Sequence, residues 1–319
     1  MIRPLLVALT LAPAGMAGAF ELALPVDCTL GETCHVQNHF DRDSGPGWQD
    51  FGCGALSYDG HDGTDFALPT RAAMEAGVNV LAAAGGTVRG VRDGMPDIPR
   101  DDPAAPPLDG RECGNGVAID HGNGWETQYC HLMQGSIAVR AGDRVETGAV
   151  LGRIGLSGNT VFPHVHIAVR KDGVALDPFA PDAAATCGAP PETDLWAGDI
   201  AYDGFGFLDA GFADAVPDYG AIRNGLPPRL IFPADAPALV VWAYFFGARQ
   251  GDRLTLSITG PEGEVIRQDI TLDRTQAQAF RATGRKARGP WPAGAYRGEA
   301  VLLRDGAEVG RTVTSIAVE

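Results

Sequence analysis

Between Gly116 and Val169 the chain is a succession of short β-rich runs separated by Gly-containing turns. That spacing constrains the fold more than any other feature, because it is the spacing of an antiparallel all-β core. Val117 to Asp120 and Trp125 to Tyr129 read as the arms of a hairpin around the turn His121-Gly-Asn-Gly124. Upstream, Arg71 to Ala76 predicts one helical turn, and Val78 to Ala82 and Gly86 to Val91 predict strands broken at Gly85-Gly86. Arg92 to Glu112 interrupts the pattern with five prolines and six acidic residues, which predicts a loop. A stretch of that length without periodicity inside a compact domain is usually functional or mobile.

Within this core one stretch aims two imidazoles at one place. Pro163 pushes Phe162 toward an extended conformation, and His164 to Val169 continues as a strand, so the side chains of His164 and His166 leave the same face. Gly60-His61-Asp62-Gly63-Thr64-Asp65 adds a His and an Asp four apart, with Gly63 loosening the backbone so that both bend onto one ion. Two histidines and one carboxylate, with a fourth position open, are a catalytic zinc pattern. The residues alone leave open which imidazole of the His-x-His pair binds. Strand alternation puts Tyr129 and His131 on one side and Cys130 on the other. His121 reads as a turn residue, and His35 and His39 as surface residues. Ser157 lacks the Gly-x-Ser-x-Gly surroundings of a serine nucleophile.

His61-x-x-x-Asp65, then Trp125-Glu-Thr-Gln-Tyr-Cys-His131-Leu, then His164-Val-His166, in that order, resemble the lysostaphin-type (LytM-like) zinc metallopeptidases, the M23 peptidase family. Val139-Arg-Ala-Gly through Arg153-Ile-Gly155 resembles the glycine-rich passage of the same family, with Leu151 in place of its Ile. The resemblance runs from about Tyr58 to Val169. One departure is that the Glu common after the last motif is Ala168 here, in a position where it would make a contact behind the ligands. The resemblance implies that His61, Asp65 and His166 hold Zn2+, while His131 and His164 stay unligated and act as base and oxyanion donor. It also implies that Tyr129 helps to shape that pocket, and that Asp177-Pro-Phe179 closes the peptidase core. The implied substrates are peptidoglycan peptides, cut endolytically at cross-links or stems. Two rival readings keep the same residues: a non-catalytic LytM-like module that binds and activates another cell-wall hydrolase, and a secreted general protease of β-lytic type.

The rest of the chain places this core in an exported protein of several parts. Residues 1–19 carry one positive charge, a short apolar run and an Ala-x-Ala site, which predicts a cleaved signal peptide and a periplasmic or secreted protein. No other segment is long and apolar enough to span a bilayer. Six cysteines without a Cys-x-x-Cys pair predict disulfides rather than a Cys-ligated metal. Cys113 and Cys130 flank the hairpin and are expected to pair; Cys28–Cys34 and Cys53–Cys187 are the remaining expected bridges. Phe20 to Gly220 holds 11 Lys/Arg against 30 Asp/Glu, whereas Ala221 to Glu319 holds 13 against 10. With a net charge of -15, no nucleic acid is expected as a partner. The predicted layout is an irregular, disulfide-pinned lead-in over 20–57, a LytM-like antiparallel β-sheet peptidase domain over 58–180, a connector over 181–228, and a small immunoglobulin-like β-sandwich over 229–319. The sandwich contains neither His nor Cys, so chemistry is expected upstream of it.

Overall fold

The structure, a computed structural model, describes residues 19–182 and 194–319. The expected leader and the expected Cys53–Cys187 bridge lie outside the described residues. The first part of the chain forms β1 (His35–Asn38), β2 (Thr64–Ala67), α1 (Arg71–Ala76), β3 (Asn79–Leu81), β4 (Gly86–Arg92), β5 (Asn115–Gly122), β6 (Trp125–Leu132), β7 (Arg144–Val145), β8 (Val150–Arg153), β9 (His164–Lys171) and β10 (Val174–Leu176). The main sheet is antiparallel throughout, in the order β1-β2-β9-β6-β5-β4-β7 with β10 on β9, while β3 and β8 pair separately.

β9 lies near the middle of this sheet, and its sequence explains why. Val165, Ile167 and Val169 alternate into an apolar cluster that also contains Phe66, Ile119, Tyr129 and Leu151. Each such side chain, fully buried, contributes about 1.5–3 kcal/mol relative to exposure. The alternate residues, His164, His166, Ala168 and Arg170, are thereby committed to the other face. Thr70 caps α1 by accepting from the Ala73 amide, and the expected helical turn sits where the sequence puts it.

Three expectations differ from what is observed. The lead-in is not wholly irregular: His35 to Asn38 pairs with β2 as an edge strand, and His35 and His39 are 5% and 1% exposed rather than on the surface. His39 is packed among the rings of Phe51, Phe179 and Tyr202, with centroids 4.8–5.4 Å away, and His35 is covered by the C-terminal part of the chain. His35 stacks on Phe246 at 4.3 Å, and Gln37 donates to the Ala277 carbonyl (3.0 Å) and accepts from Gln278 (2.9 Å). The stretch 181–228, expected as an ordered connector ahead of the sandwich, instead supplies the sandwich with a strand, β11 (Gly206–Ala213), and carries α2 (Tyr219–Asn224). Beyond them come β12 (Ile231–Phe232), β13 (Ala238–Ala248), β14 (Arg253–Gly260), β15 (Gly263–Thr271), β16 (Gln276–Lys286), β17 (Gly294–Arg304) and β18 (Ala307–Val318). The third difference is β16, a strand without an apolar pattern.

The order β11-β13-β16 makes one sheet and β12-β18-β17-β14-β15 the other. Leu239, Val241 and Phe245 of the first meet Leu254, Leu256, Tyr296 and Leu302 of the second in one cluster, the two-layer arrangement of a β-sandwich. Disulfides join Cys28 to Cys34 and Cys113 to Cys130. Among the described residues no helix is long and apolar enough to cross a membrane.

Candidate metal centre

The register of β2 against β9 sets Asp65 opposite His166 and Ala67 opposite His164. His61 reaches the same point from the turn before β2. His61 Nε2 lies 3.1 Å from Asp65 Oδ1 and 3.1 Å from His166 Nδ1, and His166 Nδ1 lies 2.9 Å from Asp65 Oδ1. All three residues are buried. The conformational role expected of Gly63 is instead one of close approach, since a Cβ there would stand 2.7 Å from His166 Cε1 and Nε2.

The outer partners of these side chains define their protonation. His61 Nδ1 is 2.7 Å from the His39 carbonyl, so it carries the proton and Nε2 presents a lone pair. His166 Nε2 is 3.3 Å from Asp62 Oδ1, which leaves Nδ1 as the acceptor when the ring is neutral. Asn38 Nδ2 donates to Asp65 Oδ2 at 2.8 Å and leaves Oδ1 free. Three acceptors thus converge on one point with no donor among them, and only a cation relieves them. Protons are one answer: burial opposes charge on His166, yet hydrogen bonds and charge from Asp62 and Asp65 push its pKa up to about 9. Asp65 is held well below the usual carboxylate range: burial opposes this, and His61, His164 and His166 outweigh it. A metal is the other answer. Donors around a tetrahedral zinc stand about 3.3 Å apart, so separations of 2.9–3.1 Å need to open by a few tenths of an ångström. The donor set fits zinc.

His164 and His131 flank this cluster. His164 Nε2 is 3.4 Å from Asp65 Oδ1, while its Nδ1 faces the Phe162 carbonyl at 3.0 Å and Thr160 Oγ1 at 3.1 Å. Its ring stacks on Phe162 at 4.6 Å and lies 4.6 Å from the ring of His131. His131 reaches the groove by a route that strand alternation does not give. Cys130 lies opposite His166, and Tyr129 opposite Ile167 on the core side, so regular alternation would turn His131 inward as well. Between the pairs Asn115–Leu132 and Val117–Tyr129, however, Cys130 and His131 together oppose the single residue Gly116, and His131 has φ +63°. This bulge re-aims the imidazole. Its Nδ1 then meets the Ser157 carbonyl at 2.8 Å, leaving Nε2 for the groove. Burial and the neighbouring His164 and His166 hold the pKa of His131 well below the ordinary value.

Tyr129 does not shape the pocket. It is fully buried, and its hydroxyl accepts from the Ala83 amide at 2.8 Å. Ser157 is a support, with Oγ donating to the Leu132 carbonyl at 2.8 Å. His121 bonds Gly85 and Thr127 away from the cluster. The loop expected at 92–112 lies against the groove and is laced to the segment before β9: Leu156 N donates to Asp97, Arg100 N to the Thr160 carbonyl, and Asn159 N to the Glu112 carbonyl, all at 2.7 Å. A trough of about 390 Å3 beside the cluster is lined by Tyr58, Asp62, Arg92, Glu112, His131, His166 and Arg170. Asn38, His39, Asp62 and Thr160 were not anticipated in roles at the site. Asn38 and His39 lie 27 and 22 residues from their partners in a segment without periodicity, where no sequence signal marks them.

A family model described as Peptidase family M23 matches residues 59–178. The peptidoglycan DD-endopeptidase ShyA of Vibrio cholerae is 38% identical over 109 residues, 33% of this chain and 19% of its own length. The DD-carboxypeptidase/endopeptidase Mpg of Neisseria meningitidis is 32% identical over 122 residues, 38% of this chain and 22% of its own length. The chain therefore spans about a fifth of the length of these relatives. Among solved structures, a mutant catalytic domain of the prophage-encoded M23 protein EnpA from Enterococcus faecalis aligns over 50% of this chain and 96% of that chain, at 23% identity and a TM-score of 0.33.

Proposed function

Since residues 59–178 are a peptidase family M23 domain, we propose that this protein is an exported zinc metalloendopeptidase that hydrolyses peptide bonds in peptidoglycan cross-links or stem peptides. The observation that carries the reading is the convergence of His61 Nε2, Asp65 Oδ1 and His166 Nδ1 within 3.1 Å of one another, with two further imidazoles beside them. His61, Asp65 and His166 would hold the ion. When bound there, zinc would supply Lewis acidity toward the scissile carbonyl and toward the attacking water.

The chain's own groups do the rest. His131, neutral because it is buried beside two other imidazoles, offers Nε2 as a proton acceptor at the edge of the trough. His164 keeps its Nδ1 proton on the Phe162 carbonyl, so Nε2 faces the reacting centre as the partner for a developing oxyanion when it carries a proton. Phe162 stacks on His164, and the loop from Asp97 to Glu112, tied to the segment before β9, borders the site. The relatives' names support peptidoglycan as the substrate.

Incubating the purified mature protein with isolated sacculi and identifying released muropeptides by mass spectrometry tests bond and activity together. One zinc per chain and new peptide termini are expected. Protein refolded with zinc that holds less than about a tenth of an equivalent would sink the proposal and leave the binding-module reading. Digestion of casein but not sacculi would favour a general protease.

A further inference from the structure

Among the imidazoles of the cluster, His166 is held at its outer nitrogen by a carboxylate. Nε2 stands 3.3 Å from Asp62 Oδ1, and the other Asp62 oxygen stands 3.5 Å from Arg170 Nη2. Arg170 is anchored in turn by Gln128 Oε1 at 3.0 Å and Glu126 Oε1 at 3.6 Å. His166 and Arg170 are four apart on β9 and leave the same face, and the residue between them on that face is Ala168, whose methyl group offers the ring nothing. The strand that carries His166 therefore supplies no acceptor for it. The acceptor comes from the turn before β2, one residue after His61. A histidine that binds a metal through one nitrogen is oriented by the group to which its other N–H donates, and losing that group typically weakens metal binding ten- to a hundredfold.

We propose that Asp62 is a positioning residue that aims His166 Nδ1 at the metal site, with Arg170 holding Asp62 in place. This rests on the reading of His61, Asp65 and His166 as zinc ligands. It assigns a role to a half-exposed carboxylate that is otherwise one member of a surface ion pair, a kind of contact that adds little to stability.

The test is the Zn2+ affinity of the full chain, measured by competition with a chromophoric chelator, for D62A, D62N, D62E, R170A, H166A and the D62A/H166A double variant, with the melting temperature of each metal-free protein. D62A and D62N are expected to bind Zn2+ about ten- to a hundredfold more weakly at an unchanged melting temperature, and D62E to stay within about threefold of the parent. R170A should show a smaller loss, and D62A should add nothing in the H166A background, because Asp62 acts through that ring. Affinity of D62A within about twofold of the parent, while H166A loses zinc, would overturn the role of Asp62 and leave the ligand set standing. Full affinity in H166A would overturn both. Equal losses from D62A with and without His166 would show that Asp62 acts by another route, and would also reject the proposal.

Discussion

His131 shows what a single residue contributes to this site. A non-glycine residue at φ +63° costs roughly 1–3 kcal/mol, a cost borne where the surroundings over-determine the conformation. Here the Cys113 carbonyl accepts from the His131 amide and the Ser157 carbonyl from its ring, both at 2.8 Å. The five candidate residues should divide into two classes. Replacing His61, Asp65 or His166 by Ala leaves two protein ligands, so zinc content and turnover should fall together. Replacing His131 or His164 by Ala should keep zinc and lower turnover by about a hundredfold or more. His164 and His166, on one face of one strand, are the decisive comparison: zinc lost from H164A and kept in H166A, by metal analysis after gel filtration, would reverse their roles. The sequence made this pair legible because alternation along six contiguous residues decides it. It hid the orientation of His131, since alternation assumes an unbroken register and the bulge depends on the partner strand.

At the scale of elements, the disulfide between Cys113 and Cys130 joins the end of the long loop to the bulge itself. The bridge and the amide contact at Cys113 hold the loop on one side of His131, and the 155–160 segment holds the other. Replacing Cys113 and Cys130 by Ser together should lower turnover on muropeptides by about tenfold or more with zinc retained, because the His131 ring, the proposed base, loses its fixed aim. Unchanged kcat in the double variant would show that the bulge holds its own shape. Central strands were readable from their apolar alternation, and β9 most of all. β1 and β16 were not. His-Val-Gln-Asn carries too few apolar side chains to announce a strand, and Gln276 to Lys286 interleaves Gln, Arg, Lys and Thr with small residues and the lone Phe280. Both are buried or half-buried by neighbours far along the chain, including each other's: Gln37 meets Ala277 and Gln278.

Across the whole molecule, two contacts tie the C-terminal part to the site. Arg223 of α2 donates to the Val161 carbonyl at 2.6 Å and to Asp101 at 2.7 Å, so it grips both the approach to β9 and the long loop. R223A should lower kcat/KM on cross-linked muropeptides by about tenfold without loss of zinc; equal kinetics would limit α2 to packing. His35, pressed against Phe246, has its pKa lowered from 6.5 to about 4, chiefly by burial. The unfolded chain then takes up this proton before the native protein does. Stability from this group is complete above pH 6.5 and is lost as pH falls toward 4, by about 3 kcal/mol in all. H35F keeps the stacking and removes the proton, so its urea midpoint should fall less between pH 7 and pH 4.5 than that of the parent. Parallel curves would rule His35 out. The main sheet, finally, ends on one side in β1, which is covered by the sandwich, and on the other in β7, two residues long. Neither border offers a long open row of amides and carbonyls for another chain to join. Extended chains in the surroundings are thus kept from collecting along the margins of the sheet.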